Sequence, residues 1–290
     1  MSEDTSPATA RARAKEARAA RQAGDPFPLP AGEAPPMDEP TRAALVEYLL
    51  RLGDDRLVLG HRLSEWCGHA PILEEDIALA NIALDLIGQA TLFLKLAGET
   101  EDEGRDENAL AFFRDSADFR NALVVELPRG DFAFTILRQL LVSAAALHHL
   151  DALRQSAHPV LAGIAAKALK ETRYHVRHAA DWTLKLGDGT DESRRRAQAA
   201  LDELWRYTGE LFMTDPVDER LVAAGLVPDA AGLEPRWREQ VVDVLTRATL
   251  AVPETAWMQR GGRAGRHTEH LGLMLAEMQV LQRTHPGAQW

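Results

Sequence analysis

The stretch ILEEDIALANIALDLIGQATLFLKLA, residues 72–97, decides the fold. Its apolar residues recur every three or four positions, with Leu73, Ile77, Ala80, Leu84, Ile87 and Leu94 forming one stripe. A second stripe of Leu79, Ile82, Ala83, Leu86, Ala90 and Phe93 lies beside it, so this helix is expected to be buried on more than one side. Working outward, prolines punctuate the chain at 71, 128, 159, 216, 228, 235, 253 and 286, and the intervals between them repeat the helical spacing. Upstream, a helix is expected over 41–68, with Leu45, Leu49, Leu52, Leu59, Leu63 and Trp66 on one face. Residues 99–107 read as an acidic loop and 108–126 as short helical pieces. Further helices are expected over 131–156, capped by Asp131, over 159–187, opening on Pro159, and over 191–213. Shorter ones follow over 236–251 and 266–283.

No segment sustains strand alternation and no internal repeat is visible, so the fold class is all-α. Helices of roughly 25–30 residues each span about 40 Å. Two antiparallel pairs joined by a longer crossover, here 98–130, make a ferritin-like long four-helix bundle with additional C-terminal helices.

Composition narrows the function. Of 290 residues 46% are hydrophobic, enough for a sizeable core, and 33 Lys+Arg against 44 Asp+Glu leave a net charge of −11. That balance argues against a nucleic-acid binder or a protein of anionic membranes, both of which need a basic face. The longest uninterrupted apolar run, Leu140–Leu147, is about eight residues where a bilayer needs roughly twenty, so no membrane helix is expected. The single cysteine, Cys67, rules out an intrachain disulfide framework and points to a reducing, cytoplasmic setting.

Residues 1–40 differ from the rest. They are Ala/Arg-rich over 8–23 and then Pro-rich, with no Leu, Ile, Val or aromatic residue before Phe27. They read as a disordered extension to a helical domain of 41–290, with nothing before residue 37 able to anchor to a core. The apolar core of a secretory signal is missing there.

A long helical bundle raises the question of a carboxylate di-iron site, which takes one Glu from each of two helices and a Glu-x-x-His pair from each of the other two. None of the ten histidines has an acid three residues before it, and 131–156 contains no Glu, so the standard site cannot be assembled. Remnants of one can be picked out. Asn81, Asp85 and Gln89 form a polar line in the otherwise apolar 72–97, with Gly88 where a histidine ligand would stand. On 159–187, Glu171, His175 and His178 share one face. Asp85, Glu171, His175 and His178 are thus candidates for a degenerate site, and their expected role is a hydrogen-bonded polar network. Without metal, a buried carboxylate needs another counter-charge. The mid-helix cations Arg56 and Arg138, or a proton on His175, are the candidates to hold Asp85 or Glu171.

Two other clusters carry less. Glu65-Trp66-Cys67-Gly68-His69 sets acid, thiol and imidazole together, but neighbours at a helix end seldom face one another, and the segment reads as a helix stop. His267 and His270 open the last helix beside a packing face of Leu271, Met274, Leu275, Met278 and Leu281.

Several stretches resemble the C subunits of bacterial 1,2-phenylacetyl-CoA epoxidase. They are LGHRLSEWCGHAPILEEDIALANIALDLIGQA (59–90), DFRNALVVELPRGDFAFTILRQ (118–139), KALKETRYHVRHAADWTLKLGDGTD (167–191), ELWRYTGELF (203–212) and RHTEHLGLMLAEMQVLQRTHPGAQW (266–290). The resemblance covers 41–290 and leaves out the N-terminal extension. It implies a ferritin-like structural subunit of a multicomponent monooxygenase that has itself lost the metal ligands, with no catalytic residue and no cofactor of its own. It further implies a hetero-oligomer whose partners are a related catalytic A subunit holding di-iron, a small B subunit, and a reductase with flavin and an iron–sulfur cluster. A competing reading is a ferritin-like oxidoreductase with its own unorthodox metal site at Glu171, His175 and His178.

Overall fold

A computed structural model of the chain describes Asp25, residues 27–255 and residues 257–288. Among the described residues there is no strand. Four long helices carry the fold: α1 (Glu39–Ser64), α2 (Leu73–Glu101), α5 (Phe132–Leu153) and α6 (Pro159–Gly187). The crossover between α2 and α5 holds two short helices, α3 (Glu107–Phe112) and α4 (Leu123–Glu126). After α6 come α7 (Asp191–Trp205), α8 (Pro216–Ala223), α9 (Glu234–Arg247) and α10 (Glu269–Thr284). α1 packs on α2 and α5 on α6, the two pairs meeting along α2 and α6, which is the ferritin-like arrangement.

The helix ends follow local chemistry. Asp38 caps α1 by accepting from the Thr41 amide, with Pro40 in the first turn. Asp131 caps α5 through the Phe134 amide at 2.9 Å, and α6 starts and stops at the expected Pro159 and Gly187. α1 ends at Ser64, earlier than expected, because Trp66 turns inward and its indole donates to Thr135 Oγ1 at 2.9 Å. α2 runs on past Gly98 to Glu101. The Arg105 carbonyl folds back to within 2.1 Å of where a Cβ on Gly98 would stand, which makes glycine obligatory there. The helix expected over 191–213 stops at Trp205, and the chain tightens into a 3₁₀ turn over Thr208–Phe212 that points Glu210 inward. α8 was not expected from the periodicity, although Asp215 caps it and Pro216 opens it. α9 stops at Arg247, short of 251, just before Thr249 takes a left-handed conformation. α10 starts at Glu269 because residues 262–264 form a separate 3₁₀ turn.

The inner stripe of α2, from Leu79 to Phe93, is buried throughout. The other stripe is not: Leu73, Ile77 and Leu84 are 72%, 54% and 66% exposed, since no other described element of the chain covers them. The exclusion of membrane helices by uninterrupted runs also needs correcting. Averaged over a window, α2 and α5 reach mean hydropathies of 1.7 and 1.2, enough to cross a bilayer by composition, because isolated polar residues such as Asn81, Asp85, Arg138 and Gln139 break the runs yet leave the mean high. For α5, 78% of that window is buried inside the bundle, and for α2 56%, so both are core helices of this fold.

The Ala/Arg-rich segment 8–23 lies outside the described residues. The expectation that nothing before residue 37 anchors is corrected by Asp25, Phe27, Leu29 and Pro30. Leu29 packs against the core, and Pro30 sits where a Cβ on Gly163 of α6 would be. Asp25 forms an ion pair with Lys95 of α2, and Phe27 lies beneath the Lys167 ammonium. Prolines in extended backbone lie along a helix surface without needing partners for amide hydrogens they do not have.

Candidate functional site in the bundle centre

The polar side chains of the core gather where the four long helices face one another. On α2, Glu75 and Gln89 extend the buried stripe at three- and four-residue steps, so the same geometry that buries Leu79, Ile82 and Leu86 turns them inward. Asp85 lies at the edge of that stripe, with its side chain 37% exposed. α6 supplies Glu171, Thr172, His175 and His178, α1 supplies Arg56, and α5 supplies Gln139, Ser143 and His149.

These groups are joined in separate pairs. His175 Nε2 meets Asp85 Oδ2 at 3.0 Å, and His178 Nε2 meets Glu75 Oε2 at 2.7 Å. Glu171 Oε2 accepts from Gln89 Nε2 at 2.8 Å, while Gln89 Oε1 accepts from Arg56 Nε at 3.0 Å. Gln89 is therefore a relay, its amide presenting a donor to the acid and an acceptor to the guanidinium. Burial pushes the Glu171 carboxyl above its ordinary range; the Gln89 hydrogen bond works against that and the Asp85 charge adds to it. Burial pulls Arg56 down to about 10, and its hydrogen bonds go to an amide and a carbonyl rather than to a carboxylate.

Of the residues picked out from sequence, Asp85 and His175 come together directly, and Arg56 reaches Glu171 only through Gln89. Arg138 is corrected. It is fully buried but gives Nη1 to the Leu127 and Pro128 carbonyls at 2.6 and 3.1 Å, at the end of the crossover, and bonds neither acid. One residue on, a helical step of about 100° turns Gln139 into the bundle centre instead. Asn81 is exposed and takes no part. Glu75 was missed, yet it could have been found by running the Leu79 stripe back one turn.

Di-iron does not fit these residues. Among the described residues no three His, Cys, Asp or Glu side chains converge on one point. Glu171, His175 and His178 each face a different partner, and the Arg56 cation enters the space a metal pair would share. The other clusters are engaged in hydrogen bonds within the fold. The His69 ring turns to the Cys67 carbonyl and not the thiol, and His267 bonds Glu126 and the Phe119 carbonyl, with His270 giving its backbone oxygen to Arg62.

Comparison with known proteins places this bundle. Residues 30–290 match the family model described as phenylacetic acid catabolic protein. The chain is 51% identical over 246 residues to the C subunit of 1,2-phenylacetyl-CoA epoxidase from Escherichia coli (strain K12), covering 85% of this chain and 99% of that one. With a match of that extent and a relative that similar along its whole length, the chain belongs to the family of phenylacetic acid catabolic proteins.

Proposed function

We propose that this chain is a structural subunit of a cytoplasmic multicomponent oxygenase that epoxidises the aromatic ring of phenylacetyl-CoA, and that it docks and steadies a related catalytic A subunit. The observation that carries the non-catalytic part is the one-to-one pairing in the bundle centre, where each acid is matched by an imidazole or an amide and none is left to ligate a metal. The di-iron centre then belongs to the A subunit, flavin and the iron–sulfur cluster to the reductase, and the assembly is completed by a small B subunit. The name of the Escherichia coli relative, the C subunit of an epoxidase, supports the multi-subunit setting.

The docking face in this reading is the outer stripe of α2. Leu73, Ile77 and Leu84 point to solvent from the helix that also lines the core. Apolar area of that kind is what an obligate interface of roughly 2,000 Å² or more covers. A second chain seated there would fix α2 from outside as the polar pairs fix it from inside.

Size-exclusion chromatography of the chain with the A subunit at micromolar concentration tests this. Co-elution is expected, with iron stoichiometric to the A subunit alone, and Leu84→Glu should release the partner while the freed chain keeps its helicity. Separate elution of the wild-type chains, or stoichiometric iron on this chain that Glu171→Ala removes together with activity, would overturn the reading.

A further inference from the structure

Beside the polar pairs lies a cavity of about 80 Å³, into which Arg56, Gln139, Ser143, His149 and Thr172 face. A water takes about 10–15 Å³ on that measure, so there is room for several waters or one small polyatomic ion. Two observations distinguish it from a packing void. Gln139 is 1% exposed, and neither its Oε1 nor its Nε2 has a hydrogen-bond partner among the described residues. Arg56 is also buried, spends Nε on Gln89 and Nη1 on the Leu52 carbonyl, stacks on Phe93 at 4.7 Å, and uses Nη2 in neither bond. A buried carboxamide with both ends unpaired, next to a buried guanidinium bonded to no carboxylate, is a costly arrangement unless something else answers them.

The remaining charges on the cavity wall cancel. Arg263 is held bidentate by Asp55 at 2.9 and 2.7 Å. His149, bonded to the Tyr48 hydroxyl, is pushed by burial and by Arg56 and Arg263 down to about 3 and is neutral. Glu171 stands behind Gln89 and is not on the wall. His175, also on the wall, turns its Nε2 to Asp85 at 3.0 Å, so the charge without a carboxylate partner is that of Arg56, which repels a metal ion. Water satisfies donors and acceptors but cannot balance that charge.

We propose that this cavity binds one small monovalent oxyanion of the nitrate or formate kind, held by the Arg56 guanidinium and the Gln139 carboxamide. The ligand lies among the four long helices, held by an arginine and a carboxamide rather than by carboxylates. The site is independent of the docking surface and of the partner.

The probe is sodium nitrate, titrated into the full-length chain against sodium gluconate at constant ionic strength, with thermal unfolding as the readout. A saturable rise in melting temperature is expected, since a ligand that binds only the native state stabilises by mass action. Gln139→Leu should weaken the apparent affinity at least about tenfold, the loss of one hydrogen bond to a charged ligand, and Arg56→Met should abolish saturation. If Arg56→Met does not fold, Gln139→Leu decides alone. A rise that never saturates, or one unchanged in Gln139→Leu, would overturn the proposal, as would a nitrate-soaked crystal holding only waters in the cavity.

Discussion

The seam between α2 and α6 and the crossover end of the bundle hold their acids in opposite ways. In the seam each acid has a single partner, Asp85 is partly solvated, and the nearby Gln139 side chain has no hydrogen-bond partner among the described residues. At the crossover end the buried acids are surrounded. Asp54, fully buried, takes two bonds from Arg114 and one from the Arg120 amide at 2.8 Å, with Arg114 stacked on Phe119 at 4.3 Å. Glu210 accepts from the amides of Leu123, Gly261 and Arg263, and Glu126 from Asn121, His267 and the Thr268 amide. In a ferritin-like bundle the seam is where metal would supply cohesion. Here the cohesion sits in the loops that tie the crossover and the C-terminal segment to α1, and the seam is left soft.

Breaking the strong region should cost most. Asp54→Ala leaves Arg114 buried without its counter-charge and is expected to destabilise by about 3–5 kcal/mol, measured by urea unfolding. A loss under about 1 kcal/mol would put the two regions on a par. The His267–Glu126 contact comes next. Burial opposes a charged His267, but the Glu126 carboxylate and the Phe119 carbonyl outweigh it and raise its pKa above the ordinary 6.5. Its contribution is full below that value and lost as pH rises through the raised one. Unfolding midpoints should fall as pH rises from about 6.5, and His267→Gln should flatten that fall while costing on the order of 1.5–3 kcal/mol at low pH.

The N-terminal strap is intermediate. A chain beginning at residue 37 loses the packing of Leu29 and the Asp25–Lys95 pair, for which a drop of about 1 kcal/mol, or roughly 2–4 °C in Tm, is expected by calorimetry. The seam should respond least. Asp85→Asn is expected to cost less than about 1 kcal/mol, because the acid is partly solvated. Glu171→Gln should be neutral or stabilising at pH 7. A carboxyl raised in the fold favours the native state only while protonated, and that contribution is full below its ordinary value of 4.5 and lost as pH rises from there through the raised one. A loss of several kcal/mol in either variant would erase the contrast between the two regions.

What could be read in advance obeys the same divide. The long helices were legible because Pro159, Gly187 and the two stripes of α2 are local signals, each acting within a turn or two. The absence of acid-x-x-His spacing was equally local. Arg138 was misassigned because residues 133–145 are buried all round the helix, so the apolar pattern does not tell which side faces the cavity, and one residue separates the crossover from the cavity. Gln89 was seen as polar, yet its relay role depends on Arg56 and Glu171, 33 and 82 positions away. The anchors at Asp54 and Glu210 take donors 60 and 87 positions away, and only the folded chain brings them together.

Those anchors also set an order of completion during synthesis. The α1–α2 hairpin is finished once its own residues have emerged, yet Asp55 waits for Arg263, and Arg62 for the His270 carbonyl, each across 208 positions. Glu210 closes on Leu123 across 87 positions and on Gly261 across 51. The first hairpin thus carries Asp55, whose guanidinium partner arrives only with the last segment of the chain, although the Ala122 amide also reaches it. A chain cut before residue 263 is expected to be more open to protease, because Asp55 then lacks its guanidinium partner.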